Sequence, residues 1–392
     1  MSPAAGPELD VKMMARAIRL AQRGRGRVEP NPMVGCVIVN RDGRVIGEGF
    51  HEEFGGPHAE PAALASCTES PAGATAYVTL EPCCHTNKKT PPCVPALIEA
   101  RLARVVAGSV DPNPDVNGQG LDQLRAAGIQ VTQGVLEESA KQLLAPFIAR
   151  VVYDRPYVTL KWAETADGKV AGPRGERLQI SNPRATRAVH ELRARSDAVL
   201  VGINTVINDD PLLTARDIDA GITPRRLIRC VLDARLRIPM SSKLVRTARQ
   251  SRVFVHYDRY LLDAEREKAR ILRDAGVEPF IAGSTHDGLR LDEVLNSLSG
   301  FDVSHVLVEP GPTVARSFLN HETLTDRVWL IVSPQRANDI AAVAGVGIPA
   351  SYVKTGEVDL YGDRLIEFLN PASPLFFSAE PSADFVQLAS KT

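Results

Sequence analysis

Cysteine is scarce, with six residues in 392, and that scarcity excludes the disulfide scaffold on which small secreted domains depend. No run of about 18 apolar residues occurs, so no transmembrane helix is expected. Residues 1–10 hold no basic region followed by an apolar one, and no secretory leader is expected either. Charge of one sign is missing as well: 46 basic and 47 acidic side chains leave a net charge of -1. That balance argues against a generic binder of nucleic acid or membrane surfaces, and leaves room for a local basic pocket. Aromatic residues make up 5%, without the basic, aromatic-rich stripe on which single strands stack. No G-x-G-x-x-G occurs, which removes most support for a classical dinucleotide fold. Internal repeats and low-complexity segments are also lacking.

What is present is ordinary globular material. Hydrophobic residues are 44% of the chain, enough for two sizeable cores, and the length suggests two or three domains. Residues 8–23 carry Val11, Met14, Ala15, Ile18 and Ala21 at helical spacing, with Gly24 as a stop. Segments 33–39 and 44–49 flank Asn40-Arg41-Asp42-Gly43, which predicts a hairpin. A short helix is expected from His58, a strand over 75–80, and a second short helix from Cys93 to about Arg101. Strand 104–109, helix 118–127, strand 129–132 and helix 136–149 follow. The order αββαβαβαβα predicts a mostly parallel sheet layered with helices. Beyond Arg155-Pro156, strands are expected at 157–161, 198–202, 227–233, 252–257, 305–309 and 327–332. Helices are expected at 183–194 and 259–275. The stretch after about 372 reads as irregular. Two α/β domains result, 1–150 and 155–392.

Three of the six cysteines, Cys83, Cys84 and Cys93, crowd into eleven positions. Without an export signal that clustering reads as metal binding or catalysis before disulfide. Upstream stands His58-Ala59-Glu60. One imidazole and two thiolates, from His58, Cys83 and Cys93, would hold zinc and leave a fourth position open for water. Two thiolates already cancel the metal's formal charge, so a nearby proton carrier is needed. Glu60, two residues from His58, can shuttle a proton without ligating. The pattern matches the H-x-E…P-C-x-x-C signature of zinc deaminases acting on nucleobases, except that nine residues instead of two separate the cysteines. Cys84 and His85 are rival ligands, and a structural zinc site is the bland alternative.

With their surroundings these residues resemble the bifunctional deaminase/reductase family of riboflavin biosynthesis, over nearly the whole chain. In the first half the resemblance rests on Asn31-Pro32-Met33-Val34-Gly35, Gly49-Phe50-His51, Gly55-Gly56-Pro57-His58-Ala59-Glu60, Leu80-Glu81-Pro82-Cys83, Thr90-Pro91-Pro92-Cys93 and Asp111-Pro112-Asn113-Pro114. In the second it rests on Lys161-Trp162-Ala163-Glu164-Thr165, His190-Glu191-Leu192-Arg193, Thr205-Val206-Ile207-Asn208-Asp209-Asp210-Pro211, Leu212-Leu213-Thr214-Ala215-Arg216 and Val308-Glu309-Pro310-Gly311-Pro312-Thr313. It implies an α/β architecture: a three-layer domain similar to cytidine deaminase, then an α/β domain similar to dihydrofolate reductase. It implies zinc and NADPH, and a diaminopyrimidinone that carries a phosphoribosylamino group. That substrate would be deaminated on the ring and then reduced at the ribose. A homo-oligomer in the cytoplasm, acting on neither nucleic acid nor membrane, is implied as well.

Carried over by position, His58, Cys83 and Cys93 are zinc ligands and Glu60 the catalytic proton donor. Asn31 contacts the substrate, with a turn residue before Pro32 as its bland alternative. Ala163, Gln179, Thr205, Asp209 and Gly311 stand at cofactor positions. Lys161, Arg193, Leu213, Arg216 and Glu309 stand at substrate positions. Arg193 and Arg216 could supply guanidinium forks to a phosphate, or be ordinary surface charges. Lys161 lies inside an apolar strand, an expensive place for a lone ammonium. Departures from the family pattern are Gln179 where Trp is usual, Arg177 where a small hydroxyl residue is usual, and Asn87-Lys88-Lys89 in the cysteine loop. They motivate an alternative, an active deaminase with an altered reductase. Arg235 and Arg237 are nearby candidates for a cofactor 2′-phosphate, or plain loop charges.

Overall fold

The computed structural model describes residues 6–85, 90–113, 116–218, 227–260, 263–286 and 288–390. Asn87-Lys88-Lys89 and Pro114 of the motifs above, like residues 1–5 of the leader argument, lie outside them. The chain divides into two units, Met1–Asp154 and Arg155–Thr392.

In the first unit, α1 (Pro7–Ala21) opens on a proline at its first turn and buries Met13, Met14, Ala17 and Ala21. Strands β1 (Gly35–Val39) and β2 (Val45–Phe50) form the expected hairpin. Its turn is built by the Asn40 side chain, which accepts from the backbone N–H of Asp42 and Arg44. Then come α2 (Ala59–Ala65), β3 (Thr75–Leu80), α3 (Cys93–Glu99), β4 (Arg104–Ser109), α4 (Gln119–Ala126), β5 (Gln130–Gln133) and α5 (Glu137–Tyr153). The sheet order is β2-β1-β3-β4-β5. Its β2–β1 and β1–β3 junctions are antiparallel, and β3–β4 and β4–β5 parallel. The sheet is therefore mixed, not mostly parallel, because the hairpin turns β2 back before the first helical crossover. One face packs on α2, α3 and α4 through Ile38, Val78, Val105, Leu97 and Leu121. The other packs on α1 through Val37, Tyr77, Val106 and Met14. Gly49 lets α2 lie close on β2, since a Cβ there would stand 2.3 Å from the Ala63 nitrogen. Helix α5 runs to Tyr153, past the expected 149. Asp154 ends it in the left-handed region at φ 49, two residues before Pro156.

The second unit runs β6 (Tyr157–Glu164), β7 (Lys169–Pro173), α6 (Pro183–Ala194), β8 (Ala198–Gly202), α7 (Ile203–Asp209), β9 (Ile228–Leu232), α8 (Lys243–Arg246), β10 (Val253–Asp258), α9 (Asp263–Asp274) and β11 (Glu278–Ala282). It continues with β12 (Ser284–Thr285), β13 (Gly288–Leu289), α10 (Leu291–Ser299), β14 (His305–Val308), α11 (Pro312–Leu319), β15 (Arg327–Val332), β16 (Ala342–Ala344), β17 (Val353–Leu360), β18 (Asp363–Leu369) and α12 (Ala383–Ala389). Nine strands form one sheet in the order β11-β10-β9-β8-β14-β6-β15-β18-β17. It is parallel from β11 to β15 and antiparallel across β18 and β17. Alternation along β8 sends Leu200 to one core and Val199 and Val201 to another. The C-terminal stretch is not wholly irregular: α12 is capped by the Ser382 hydroxyl and buries Phe385 and Leu388. That helix shares one apolar cluster with α6 and with strands β14, β15, β17 and β18, and the Phe385 ring meets Trp329 of β15, so local pattern gives no warning of it.

Candidate active sites

In the first unit three chain segments converge at the end of β3. His58 is the residue before α2, Cys93 is the first residue of α3, and Cys83 follows β3. The Cys83 carbonyl accepts from the N–H of Cys93 and of Val94 at 2.9 and 3.2 Å, which locks the two cysteine segments together. His58 Nδ1 stands 3.5 Å from Cys83 Sγ and 3.4 Å from Cys93 Sγ, and the two sulfurs are 3.3 Å apart. Ligand atoms about 2.0–2.3 Å from a tetrahedral zinc lie roughly 3.4–3.8 Å from one another, so both nitrogen–sulfur edges fall in that range and the sulfur–sulfur edge just below it. Among the described residues, His58, Cys83 and Cys93 form the cluster able to hold a metal. Cys84 instead packs against the apolar core. His58 Nε2 lies 3.0 Å from Thr90 Oγ1, a partner that orients the ring.

Glu60 sits in the first turn of α2 and is 3% exposed. Burial, followed by the neighbouring Cys83 sulfur, pushes its carboxyl up to about 7. Glu60, His58 and Cys83 line a cavity of about 350 Å³ that Asn31 also enters. Asn31 Nδ2 stands 3.1 Å from His51 Nε2, and His51 Nδ1 lies 2.9 Å from the Pro57 carbonyl. A carbonyl only accepts, so Nδ1 carries the His51 proton and Nε2 accepts from the Asn31 amide. Burial lowers the His51 pKa, which suits that neutral ring. The Asn31 oxygen is thereby the atom left for a ligand. Sequence reasoning gave no role to His51, Thr90, Asp111 or Asn113, all of which line this cavity. His51 and Asp111 follow the ends of β2 and β4, and polar residues just past strand ends were the available signal.

In the second unit Lys161 on β6 and Glu309 just past β14 occupy neighbouring strands. Arg193 on α6 grips Glu309 with both arms, Nε to Oε1 at 2.5 Å and Nη2 to Oε2 at 2.7 Å, and Nη1 reaches the Thr214 carbonyl at 3.2 Å. Burial works to raise the Glu309 pKa, but Arg193, with help from Lys161, holds it below its usual value. Burial lowers Lys161, with Glu309 opposing. Lys161 and Glu309 line a cavity of about 640 Å³ together with Ala163, Gln179, Thr205, Asp209 and Gly311. Arg193, Leu213 and Arg216 are not among its lining residues. The Arg193 fork is taken up by Glu309. Leu213 is buried in the core at φ +53. Arg216 is exposed and donates its backbone N–H to His190 Nδ1 at 3.2 Å. Gln179 turns its amide to the Ser181 carbonyl at 2.8 Å. An adjoining groove of about 470 Å³ shares Thr205 and Gly311, and Arg235 and Arg237 line it. A Cβ on Gly311 would meet open space, so glycine there leaves the first turn of α11 open to a phosphate.

The family described as "Cytidine and deoxycytidylate deaminase zinc-binding region" matches residues 7–109, and the "RibD C-terminal domain" matches residues 156–335. The chain is 38% identical over 365 residues to "Riboflavin biosynthesis protein RibD" of Aquifex aeolicus, covering 92% of this chain and 98% of that protein. It is 40% identical over 345 residues to the protein of the same name from Escherichia coli, covering 83% of this chain and 88% of the other. Among solved structures it is similar to Acinetobacter baumannii RibD, with a TM-score of 0.79 and 34% identity over 93% of this chain and 99% of that one. The Thermotoga maritima protein named as a diaminohydroxyphosphoribosylaminopyrimidine deaminase/5-amino-6-(5-phosphoribosylamino)uracil reductase gives 0.76 and 36%, with the same coverage.

Proposed function

The chain belongs to the RibD family of riboflavin-biosynthesis proteins, and from that membership we propose how its residues divide two reactions. It is a bifunctional enzyme, a zinc-dependent pyrimidine deaminase and an NADPH-dependent reductase. We assign the deaminase to residues 1–150 and the reductase to residues 155–392. The first hydrolyses an amino group from a diaminopyrimidinone that carries a phosphoribosylamino group. The second reduces the ribosyl chain of the product to ribityl.

His58, Cys83 and Cys93 hold zinc, whose Lewis acidity makes water nucleophilic at neutral pH. Glu60 is the proton carrier. Its buried carboxyl takes a proton from the attacking water, gives it to the ring nitrogen, and helps ammonia leave. The Asn31 oxygen, aimed by His51, accepts from the substrate. In the reductase, NADPH would supply the hydride to C1′, and Lys161 supplies the proton taken up by the C1′ imine nitrogen. Glu309 opposes the lowering of the Lys161 pKa by burial, and Arg193 positions Glu309 rather than binding phosphate. Arg216, exposed outside the cavity lining, is kept as a 5′-phosphate contact alongside Arg174, Arg177 and Arg316, which line the cavity. Ala163, Gln179, Thr205, Asp209 and Gly311 border the cofactor, and Leu213, buried in the core, anchors the stretch that carries Arg216.

The observation that carries the reading is the ligand triangle with Glu60 beside it in a cavity. The test follows ammonia release and NADPH absorbance together on the zinc-loaded chain. Both signals should appear. A strong chelator should stop the ammonia yet spare NADPH oxidation when the deaminated intermediate is supplied. A second reading, a reductase altered at Arg177 and Gln179, is motivated by both residues lining the larger cavity. It requires ammonia without NADPH oxidation. A homo-oligomer in the cytoplasm remains part of the proposal, and light scattering on the purified chain checks the assembly. No helix among the described residues is long and apolar enough to cross a membrane.

Arg235 and Arg237 flank Leu236, whose side chain anchors in the core, and both line the cofactor groove. The nearby acid Asp233 is turned inward, fully buried and accepting from the Ile238 N–H at 2.7 Å. It is therefore not free to select a ribose hydroxyl as the acid of an NAD site does. Replacing both arginines by alanine should raise the KM for NADPH by about tenfold or more, with the KM for NADH unchanged. Equal losses for both cofactors would rule out a 2′-phosphate role.

A further inference from the structure

Glu81 is neither a zinc ligand nor the proton carrier, yet it is 3% exposed, an expensive position for a carboxylate without partners. Its partners are three backbone N–H groups. Oε2 accepts from Asp111 at 3.0 Å and from Gly118 at 2.8 Å, and Oε1 accepts from Gly120 at 2.8 Å. Those donors stand just past the end of β4 and at the start of α4. Asp111 and Asn113 line the cavity that holds Glu60 and the ligand cluster. Asp111 Oδ1 in turn accepts from the Asn113 N–H at 2.9 Å.

The contact is tight at both ends. The Glu81 N–H donates to the Ser109 carbonyl at 2.9 Å, so the backbone that carries the clasp is itself tied to β4. At Gly120 a Cβ would stand 2.1 Å from the Pro82 carbonyl oxygen, so α4 can only start this close with glycine there. Glu81 and Pro82 immediately precede the ligand Cys83. One short stretch therefore holds the metal cluster on one side and, through one carboxylate, the polar wall of the substrate cavity on the other.

We propose that Glu81 is a positioning residue of the deaminase, a clasp that ties Asp111, just past β4, to Gly118 and Gly120 at the start of α4 and thereby sets Asp111 and Asn113 as the polar wall met by the amino-bearing pyrimidinone. The proposal rests on the deaminase reading above. The role is geometric: a carboxylate offers acceptors to all three N–H groups, whereas an amide turns an NH2 toward at least one of them. A loosened wall weakens substrate binding more than it slows the chemistry, because Glu60 and the ligands stay where they are.

The test uses the zinc-loaded full chain. Glu81→Gln should raise the KM for the pyrimidine by about tenfold, keep kcat within about threefold, and retain zinc as wild type does. Asn113→Ala should do the same, and the double variant should lose less than the product of the two. Hydrogen exchange at the Asp111, Gly118 and Gly120 amides should speed up in Glu81→Gln, a readout independent of any substrate. Should the Glu81 variant fold poorly, Gly120→Ala displaces the same wall from its far side and should give the same KM rise. Zinc loss, a fall in kcat at unchanged KM, a fully multiplicative double variant or unchanged exchange would overturn the clasp. Absent ammonia release in the wild type, with exchange responding as expected, would strike the deaminase reading and leave the clasp standing.

Discussion

Glu60→Gln should cut ammonia release by at least about a hundredfold while leaving the reductase intact, the range lost when a positioned acid–base group is removed. The substitution conserves shape. Glu60 is 3% exposed at the start of α2, and an amide of equal size leaves no cavity. It cannot carry a proton. Water attack, protonation of the ring nitrogen and departure of ammonia all need that transfer, so the loss falls on kcat. Zinc content should match wild type, because the cluster consists of His58, Cys83 and Cys93. NADPH oxidation with the deaminated intermediate should also match, since Lys161, Glu309 and Arg193 all belong to the unit Arg155–Thr392. A variant that releases ammonia at near wild-type rate with full zinc would remove Glu60 from the mechanism.

Arg327→Met should destabilise the second unit by about 3–5 kcal/mol, the cost of stripping one partner from a buried charge cluster. Arg327 on β15 is 3% exposed, and its Nη1 lies 3.0 Å from Asp384 and 3.8 Å from Glu367, which are 1% and 0% exposed. The same guanidinium donates to the hydroxyls of Thr159 and Ser382. Glu367 also accepts from the Trp329 indole at 2.8 Å and the Ser382 N–H at 2.7 Å. Removing the cation leaves two buried carboxylates without their principal counter-charge. The network ties α12 to the sheet, and Phe385 and Leu388 of that helix pack on α6, the helix that carries Arg193. Melting of the variant should therefore come roughly ten degrees early, and NADPH oxidation should fail before ammonia release does. Adding Asp384→Leu and Glu367→Gln to Arg327→Met should recover part of the loss. A melting point within a degree of wild type would show that the charges do not hold the helix.

Much of the molecule could be read from local chemistry. The His58–Glu60 spacing, the two proline-preceded cysteines and the strand ahead of them point to a zinc and proton-transfer site, with Cys84 a rival ligand until the fold packs it against the core. Metal ligation needs particular atom types, and few residues supply them. The helix at Pro7–Ala21 and the hairpin at Asn40–Gly43 were likewise legible, because periodicity and turn chemistry act within a few residues. Local pattern failed where a partner lies far along the chain. Strand β17, half-exposed at the sheet edge, alternates too weakly to announce itself. The α12 helix owes its place to residues on β15, β18 and α6.

The sequence by itself determined which chemistry is possible: candidate ligands, a candidate proton carrier, and arginines and a lysine of the type that meets a phosphate or an imine. Tertiary structure decided how these groups are shared out. Arg193 and Glu309 stand 116 positions apart, and either could face substrate. Packing sets them against each other, so one becomes the support of the other. Glu81 reads as one more acid beside a cysteine until the fold brings three backbone N–H groups from beyond β4 to its oxygens. The physical reason is common to both. A side chain's reactivity is set by its own atoms, but its partner is whichever group the fold buries beside it, and that choice depends on contacts too distant in sequence for any local pattern to encode.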